Sequence, residues 1–519
     1  MVPLPQPAIK ADQPIAWSPQ QQAFLDWCEK GSGSCVLEAV AGAGKTTTLI
    51  EGAKRISGQV AITAFNKKIA DEIKAKLVKA GMDWKKAQGG TAHSFGFSAY
   101  RKAHPNVRVD EYKIRNMVDV LLPLGHKYAI YKSAIQQLVS LARQCALGVV
   151  GKPINDLHTW LEMAEHYDVF DEDESPIPVE EKAEVIGLAQ GVLRQSIDTL
   201  DVIDFDDMIY MPLYHRVRFW QFDVVMVDEA QDTNAARRAL VRAMVKRGGR
   251  VVAVGDRHQA IYGFTGADAD ALDLIAKDFN CIDLPLTVSY RCPQLVVKFA
   301  QRWVSHIQAA DTAPEGAVSD VKMEDFLKRN DLNGDASVLS RTNKPLVSLA
   351  FRLIRQRTPC RIEGRDVANR IKKLIQRWKV KSLDALETKL EAYLARETTK
   401  LLAAKKESKL AEIEDAVETV RIIVDQCRLE KKNNVKDAVD YVDSMFGDNV
   451  SGVLTLSSIH KAKGREWERV FWLDRAGTCP NKWARQAWQQ QQEKNLMYVA
   501  ATRAKSELIE LAPDPKKLS

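Results

Sequence analysis

Four consecutive apolar residues, Val224-Val225-Met226-Val227, run directly into Asp228-Glu229-Ala230-Gln231-Asp232. A run without polar alternation reads as a strand buried on both faces of a parallel sheet. Open sheets of that kind hold their ligands at the carboxyl ends of the strands, where these two carboxylates stand. Adjacent acids in such a place are costly unless something needs them. The usual need is a nucleotide's magnesium and a water to be activated. This stretch commits the chain to an α/β fold. It makes Asp228 the expected Mg²⁺ partner and Glu229 the expected base that orients and polarises the water. Two solvated acids at a strand end are the alternative.

A second segment supplies the other half of such a site. Ser34 to Leu37 is apolar and leads into Ala39-Val40-Ala41-Gly42-Ala43-Gly44-Lys45-Thr46, a phosphate-loop pattern with Ala39 in place of the first glycine. Gly42 and Gly44 let the backbone curl so that its N–H groups face phosphate oxygens, and the amino end of the next helix adds positive field. The expected cradle comprises Ala41, Gly42, Ala43, Gly44, Lys45, Thr46 and Thr47. Lys45 would reach the outer phosphates, and the Thr46 hydroxyl would hold the metal. The gap between Lys45 and Asp228 is far longer than one βαβ unit needs, so a domain is expected between them.

At 519 residues the chain exceeds one hydrophobic core and should form several domains, and 45% hydrophobic content is ordinary for a globular protein. A net charge of +7 permits a nucleic-acid partner without demanding one. The cysteines at 28, 35, 145, 281, 292, 360, 427 and 479 show no CxxC and no metal-ligand spacing, and read as reduced cytosolic thiols. No apolar run approaches membrane-spanning length. Residues 1–16 carry four prolines and no hydrophobic core, reading as a loose leader and not a signal peptide, and 513–519 as a short tail.

Gln59 to Phe65 reads as a strand, Asn66-Lys67-Lys68 as a helix start, and Thr91 to Gly96 as a polar turn. From Phe97 to Thr199 the periodicity is mostly helical, which makes this the insertion. Arg250 to Val254 forms another buried strand. A second α/β region is expected with strands near Cys281–Leu284, Ser337–Leu339, Val453–Leu456 and Arg469–Leu473. Asp366 to Phe446 is rich in Leu, Ala, Lys and Glu and reads as a second, all-helical insertion.

Taken together, these segments resemble the UvrD/Rep family of superfamily 1A DNA helicases, and the ordered motifs cover nearly the whole chain. Ser18-Pro19-Gln20-Gln21-Gln22 is similar to the Q motif, which implies that Gln21 reads the adenine edge. Ala39 to Thr46 resembles motif I, and DEAQD resembles motif II. Thr63 to Lys67 and Thr91 to Gly96 are similar to motifs Ia and Ib, implying DNA contacts at Phe65, Asn66, Thr91 and His93. Asp256 to Ala267 resembles motif III. There Gln259 would sense the γ-phosphate, Phe264 would stack on a base, and Tyr262 would lie on the DNA side or pack structurally. Thr265 stands where relatives commonly carry arginine.

Ser289-Tyr290-Arg291 is similar to motif IV, with Tyr290 on adenine and Arg291 at the γ-phosphate. Ser458 to Glu466 resembles motif V, which implies nucleotide contacts at Gly464 and Glu466 and a DNA contact at His460. Tyr498 to Ala504 resembles motif VI, with Arg503 as the arginine finger. For His93 and His460 a structural role is the alternative. The phrasing around Ile62 to Ile73 and Gln492 to Lys505 is nearest to F-box DNA helicases and compact phage relatives.

The resemblance implies two RecA-like P-loop NTPase domains, each with a helical insertion. The first would comprise 17–96 and 200–275 with insertion 97–199, and the second 276–365 and 450–512 with insertion 366–449. Lys45, Glu229, Gln259, Arg291 and Arg503 would carry catalysis, with ATP and Mg²⁺. Single-stranded and 3′-tailed duplex DNA would be the partners, with single-strand-binding or recombinase proteins beside them. The implied protein is a cytoplasmic or nucleoid-associated monomer that moves 3′ to 5′. The alternative is a translocase that strips proteins from single strands. The aspartates Asp204, Asp206 and Asp207 are expected to brace the strand that carries DEAQD. The basic run from Arg370 to Lys381 is expected to be a solvated helix face, with a duplex contact as the alternative.

Overall fold

The computed structural model describes residues 16–170, 177–263, 270–356, 358–363, 365–403, 407–445, 452–481, 484 and 486–512. The first sheet has six strands: β1 (Ser34–Ala39), β2 (Val60–Ala64), β3 (Ala87–Thr91), β4 (Phe222–Val227), β5 (Val245–Gly255) and β6 (Cys281–Leu286). They lie in the order β3-β2-β4-β5-β1-β6, and every pairing is parallel. β4 lies between β2 and β5, so Val224 to Val227 are buried, as their unbroken apolar run requires.

Parallel strands need crossovers, and the local signals for them are in place. Helix Lys45–Arg55 leaves the glycine loop, and helix Lys67–Lys79 starts at Asn66, whose side chain accepts from the Ile69 N–H. The second sheet contains β7 (Ala317–Val321), β8 (Ala336–Ser340), β9 (Cys360–Ile362), β10 (Leu454–Ser458), β11 (Trp467–Leu473) and β12 (Ala504–Leu511). Its order is β7-β12-β11-β8-β10-β9, again wholly parallel. The expected class, two parallel sheets flanked by helices, is the fold adopted.

Helices Lys113–Leu121, Lys132–Gln144, Leu157–His166 and Val179–Asp198 fill the gap between β3 and β4. They bury a core of their own around Trp160, Leu138, Ile186 and Leu193. Helices Arg365–Gln376, Leu383–Ala403, Glu407–Leu429 and Val435–Met445 separate β9 from β10. Their apolar faces join the core under the second sheet. Within the basic run, Lys372 pairs with Asp443 at 2.6 Å, and the Arg377 guanidinium lies 4.5 Å from the Tyr393 ring centre.

Three expectations are corrected. Cys281–Leu286 pairs with Ser34–Ala39, so this strand belongs to the first sheet and the change of domain falls after it, not at 276. Thr91 to Gly96 is not a turn: Thr91 ends β3 and caps helix Ala92–Ala103, accepting from the Ser94 N–H at 3.0 Å. Gly96 lies inside that helix because the helix packs closely on helix Asp207–Tyr214, where a Cβ would collide with the Met208 carbonyl. The third concerns Asp204, Asp206 and Asp207, which engage the first insertion and not β4. Arg143 reaches them at 2.7, 3.2 and 2.9 Å, and Lys113 adds a 2.7 Å bond to Asp207.

Arg143 is 3% exposed and Asp207 fully buried, so removing the guanidinium strands buried carboxylates. Arg143→Met should lower the local opening free energy of helices Lys132–Gln144 and Val179–Asp198 by about 3–5 kcal/mol. Native-state hydrogen exchange measures this, and unchanged protection would contradict a structural role for the cluster.

Candidate nucleotide cleft and DNA-facing residues

The loop after β1 has the conformation its glycines were expected to permit. Gly42 and Gly44 adopt φ of 77° and 76°, and Gly44 precedes the first residue of helix Lys45–Arg55. Gly42 has a second reason to lack a side chain. A Cβ there would lie 2.5 Å from the Arg291 Cβ and 2.7 Å from the Ser289 Oγ. The Tyr290 N–H donates to the Gly42 carbonyl at 2.9 Å, so the Ser289–Arg291 segment is laid against the loop. Gln21 lies beneath the same loop, donating to the Ala43 carbonyl at 3.4 Å and to Thr48 Oγ1 at 3.2 Å. Its Oε1 accepts from the Ser18 N–H, which closes a capping box at the start of helix Pro19–Lys30. Lys45 Nζ lies 3.5 Å from the Ala39 carbonyl, Thr46 is half-buried, and Thr47 is exposed.

At the end of β4, Asp228 is buried and its Oδ1 accepts the Glu229 N–H at 3.0 Å. Glu229 is held at φ 51°, a left-handed conformation that few residues other than glycine adopt. Burial and the neighbouring Glu229 push the Asp228 carboxyl up. Burial also acts on Glu229, but Lys45, Lys463, the Gln231 amide and Arg503 outweigh it and hold that group down. The pair therefore concentrates its charge on Glu229, the state a water-polarising base needs. The Asp228 carboxylate and the Thr46 hydroxyl would together supply a hard-oxygen donor set. It suits Mg²⁺, which takes few protein ligands and completes its shell with phosphate oxygens and water.

Gln231 ties the end of β4 to the end of β5, and Asp232 reaches across to the second half. Gln231 donates its amide to Glu229 Oε2 and accepts the Asp256 N–H at 3.0 Å. Asp232 Oδ2 pairs with Lys463, which also donates to the Gln259 carbonyl at 2.7 Å. Gln259 is buried, with Nε2 donating to Asp256 at 2.8 Å and Oε1 accepting from Arg503 at 3.3 Å. Arg503 is 1% exposed; burial and the nearby Arg291 pull it down to about 10, so it remains charged at neutral pH. Arg291 pairs with Glu466 at 2.6 Å. Tyr290 is 49% exposed beside the loop and packs in no core. Gly464, at φ 79°, turns the chain between Lys463 and Glu466.

The residues expected on the DNA side divide into groups. Phe65 and Tyr262 stack on one another at 5.3 Å and 9°. Arg237 lies 5.0 Å from the Phe65 ring centre, and Lys463 lies 5.0 Å from that of Tyr262. The Tyr262 hydroxyl donates to the His460 carbonyl at 3.2 Å, which brings His460 to the same place. His93 lines a cavity of about 250 Å³ with Phe65 and Arg237. Asn66 and Thr91 are spent as helix caps by their side-chain oxygens. Phe264 and Thr265 lie outside the described residues.

Two contributors escaped sequence reasoning. Tyr498 Oη accepts the Ala41 N–H at 2.9 Å, which fastens the phosphate loop to helix Ala487–Ala501. Asn495 on that helix donates to the carbonyls of Arg257 and Ala260 at 3.2 and 2.8 Å. At the amino end of the helix, Gln486 and Gln489 donate to Asp168 of the first insertion at 2.9 and 3.1 Å, and Trp488 stacks on His166 at 5.8 Å. Helical periodicity marks these positions as one element, but nothing local announces partners hundreds of residues away.

Comparison with known proteins gives matches over both halves. Residues 17–280 match the UvrD/REP helicase N-terminal domain, and residues 365–510 match the UvrD-like helicase C-terminal domain. The chain is similar to the ATP-dependent DNA helicase Rep of Escherichia coli, at 26% identity over 306 residues, covering 54% of this chain and 42% of that protein. It is also similar to F-box DNA helicase protein 1 of Schizosaccharomyces pombe, at 28% identity over 58% of this chain and 35% of that protein. With the ATP-dependent DNA helicase PcrA of Leuconostoc citreum the identity is 31% over 24% of this chain and 17% of that protein. The chain thus spans less than half the length of these relatives.

Gly42→Ala should weaken binding of a fluorescent ATP analogue by roughly tenfold or more, because both the left-handed backbone and the Arg291 contact forbid a methyl group. Affinity within twofold of the parent would contradict that packing. The two histidines give a pH signature. Burial, with Arg237 nearby, pushes His93 down to about 4, and burial, with Arg341 and Lys463 nearby, pushes His460 down to about 3. The unfolded chain takes up these protons near the usual value of about 6.5 while the folded one does not, so stability falls as the pH drops below that value. His460→Gln should therefore lose less stability than the parent between pH 6.5 and 5, by up to about 2 kcal/mol. Thermal unfolding at matched ionic strength reads this, and identical pH profiles would refute it.

Proposed function

The chain belongs to the UvrD/Rep helicase family, and on that premise we propose that it is an ATP-dependent DNA helicase that moves 3′ to 5′ along single-stranded DNA. The observation that carries this reading is the chain of contacts from Glu229 through Gln231, Asp256 and Gln259 to Arg503. It joins the acid-bearing strand of one sheet to the cation of the other by direct hydrogen bonds. A nucleotide between the sheets would meet groups from both.

The loop N–H groups and Lys45 hold the phosphates, and Gln21 braces the loop from below. Mg²⁺, held by Thr46 and Asp228, would neutralise phosphate charge when bound. Glu229 orients the attacking water and accepts its proton. Arg291 and Arg503 stabilise charge on the transferred phosphoryl group, which they can do only while the two sheets stay together. After hydrolysis Gln259 loses its phosphate contact, and the change passes to Tyr262 and Phe65 through Lys463 and the Gln259 backbone. Those rings, with His93 and His460, form the proposed DNA side, to which Asn66, Thr91 and Phe264 are assigned by the motif resemblance alone.

No helix among the described residues is long and apolar enough to cross a membrane, and all eight cysteines are free thiols. A cytoplasmic or nucleoid-associated monomer acting on single-stranded and tailed duplex DNA is the setting we propose. A second reading, clearance of proteins from single strands without strand separation, is favoured by the small size of the second insertion, four helices among the described residues between β9 and β10.

Paired duplexes with 3′ and 5′ tails test the first reading. Unwinding of the 3′-tailed duplex alone is expected in ATP and Mg²⁺. Unwinding of neither, with DNA-stimulated ATPase intact, would transfer the assignment to the second reading. Arg503→Ala should lower kcat by about 10³-fold or more with little change in ATP affinity. Equal losses in both would contradict its role.

A further inference from the structure

The first sheet carries its nucleotide residues at the carboxyl ends of the strands, yet its opposite end is also built up. The segment Arg216-Val217-Arg218-Phe219-Trp220-Gln221 leads into β4 there and borders a groove of about 460 Å³. Its floor is apolar, formed by the buried side chains of Phe219, Phe222, Met244 and Ala99. Phe95, on helix Ala92–Ala103, closes one side by an edge contact with Phe222 at 6.0 Å and 81°. Trp220 stands at the rim, 57% exposed.

The remaining lining is polar and unengaged. Gln88 from β3, Ser98 and Lys102 from the helix, and Arg218 and Gln221 from the segment face the groove. Among the described residues, none of these five makes a side-chain hydrogen bond or ion pair within the protein. Arg101 and Arg216 are exposed nearby in sequence and add positive charge. Trp84, 63% exposed, precedes β3 at the same end of the sheet, with only β2 between β3 and β4. Adjacent strands lie roughly 4.8 Å apart, so β3 and β4 are separated by about 10 Å.

Solvent-facing tryptophan costs apolar exposure, and like-charged cations repel, so the combination needs an occupant to stabilise it. Cations and an apolar floor alone would suit an acidic peptide. The three free amide and hydroxyl side chains add donors and acceptors of the kind that pair with base edges, while an aromatic rim offers a stacking face and the cations meet phosphates. We propose that this groove is a second binding site for single-stranded nucleic acid, at the opposite end of the sheet from the Phe65–Tyr262 side. It rests on the reading that the chain acts on DNA and adds a separate contact for a strand that does not occupy the motor track.

Anisotropy titration with a labelled short oligothymidylate should resolve two binding phases. With 5-iodouracil in the oligonucleotide, photocross-linking should mark the Phe219–Gln221 peptide. Trp220→Ala and Arg218→Glu should each weaken the second phase by roughly tenfold, leaving the first phase and DNA-stimulated ATPase within about twofold. Trp220→Phe should retain most of the second phase, which separates stacking from a folding defect. A single phase with cross-links confined to the Phe65–Tyr262 side would overturn the proposal, as would a second phase indifferent to Trp220→Ala. Protection of Trp220 by an oligo-aspartate peptide and not by the oligonucleotide would assign the groove to a protein partner and equally overturn it. Absence of both phases would instead remove the DNA reading beneath it.

Discussion

Two carboxylates on adjacent residues at the end of a buried strand cannot both stay charged unless cations are brought to them. In this protein the compensating cations come from both halves of the molecule. Lys45 arrives from the first sheet's own loop, whereas Lys463 and Arg503 come from the second. The first sheet alone would leave the Asp228–Glu229 pair and the buried Asp232 short of positive charge. Electrostatics thus makes the acid-bearing strand dependent on a neighbouring domain, and contact between the two halves becomes part of the site.

The same constraint explains why Gln231 and Asp232 are polar and buried. Each side chain has a partner on another segment, Asp256 for one and Lys463 for the other, and Arg237 donates to the Asp232 main-chain carbonyl. Removing a partner would leave a desolvated polar group, a larger cost than the bond itself contributes. Such a network resists partial opening. It favours discrete arrangements of the cleft over a graded one, as the proposed motor would require.

Much of this was legible because the signals were local. The apolar run of β4, the glycine loop and the Asn66 cap each carry their meaning within a few residues. The errors lie where meaning is supplied from elsewhere in the chain. Cys281–Leu284 is legible as a strand, but its place beside β1 depends on a pairing across more than two hundred residues. Thr91 to Gly96, a polar stretch that closes on a glycine, reads as a turn. Gly96 owes its identity to the Met208 backbone packed against it, and the Thr91 cap was the signal that outweighed it. Asp204, Asp206 and Asp207 advertise charge, yet only the fold reveals Arg143 as their counter-ion. Motif order identified which residues meet at the cleft, but Tyr498 and Asn495 gained their roles from contacts that no spacing encodes.

Helix Ala487–Ala501 is fifteen residues long, about 22 Å at the usual rise. Near its carboxyl end Tyr498 touches the phosphate loop, midway Asn495 holds the turn after β5, and at its amino end it meets Asp168 and His166 of the first insertion. A helix bends little over that span, so these three sites share one rod. A shift of the loop would reach the insertion as leverage, with Asn495 near the fulcrum, so that under the proposed function a nucleotide on the loop would act on an insertion it does not touch.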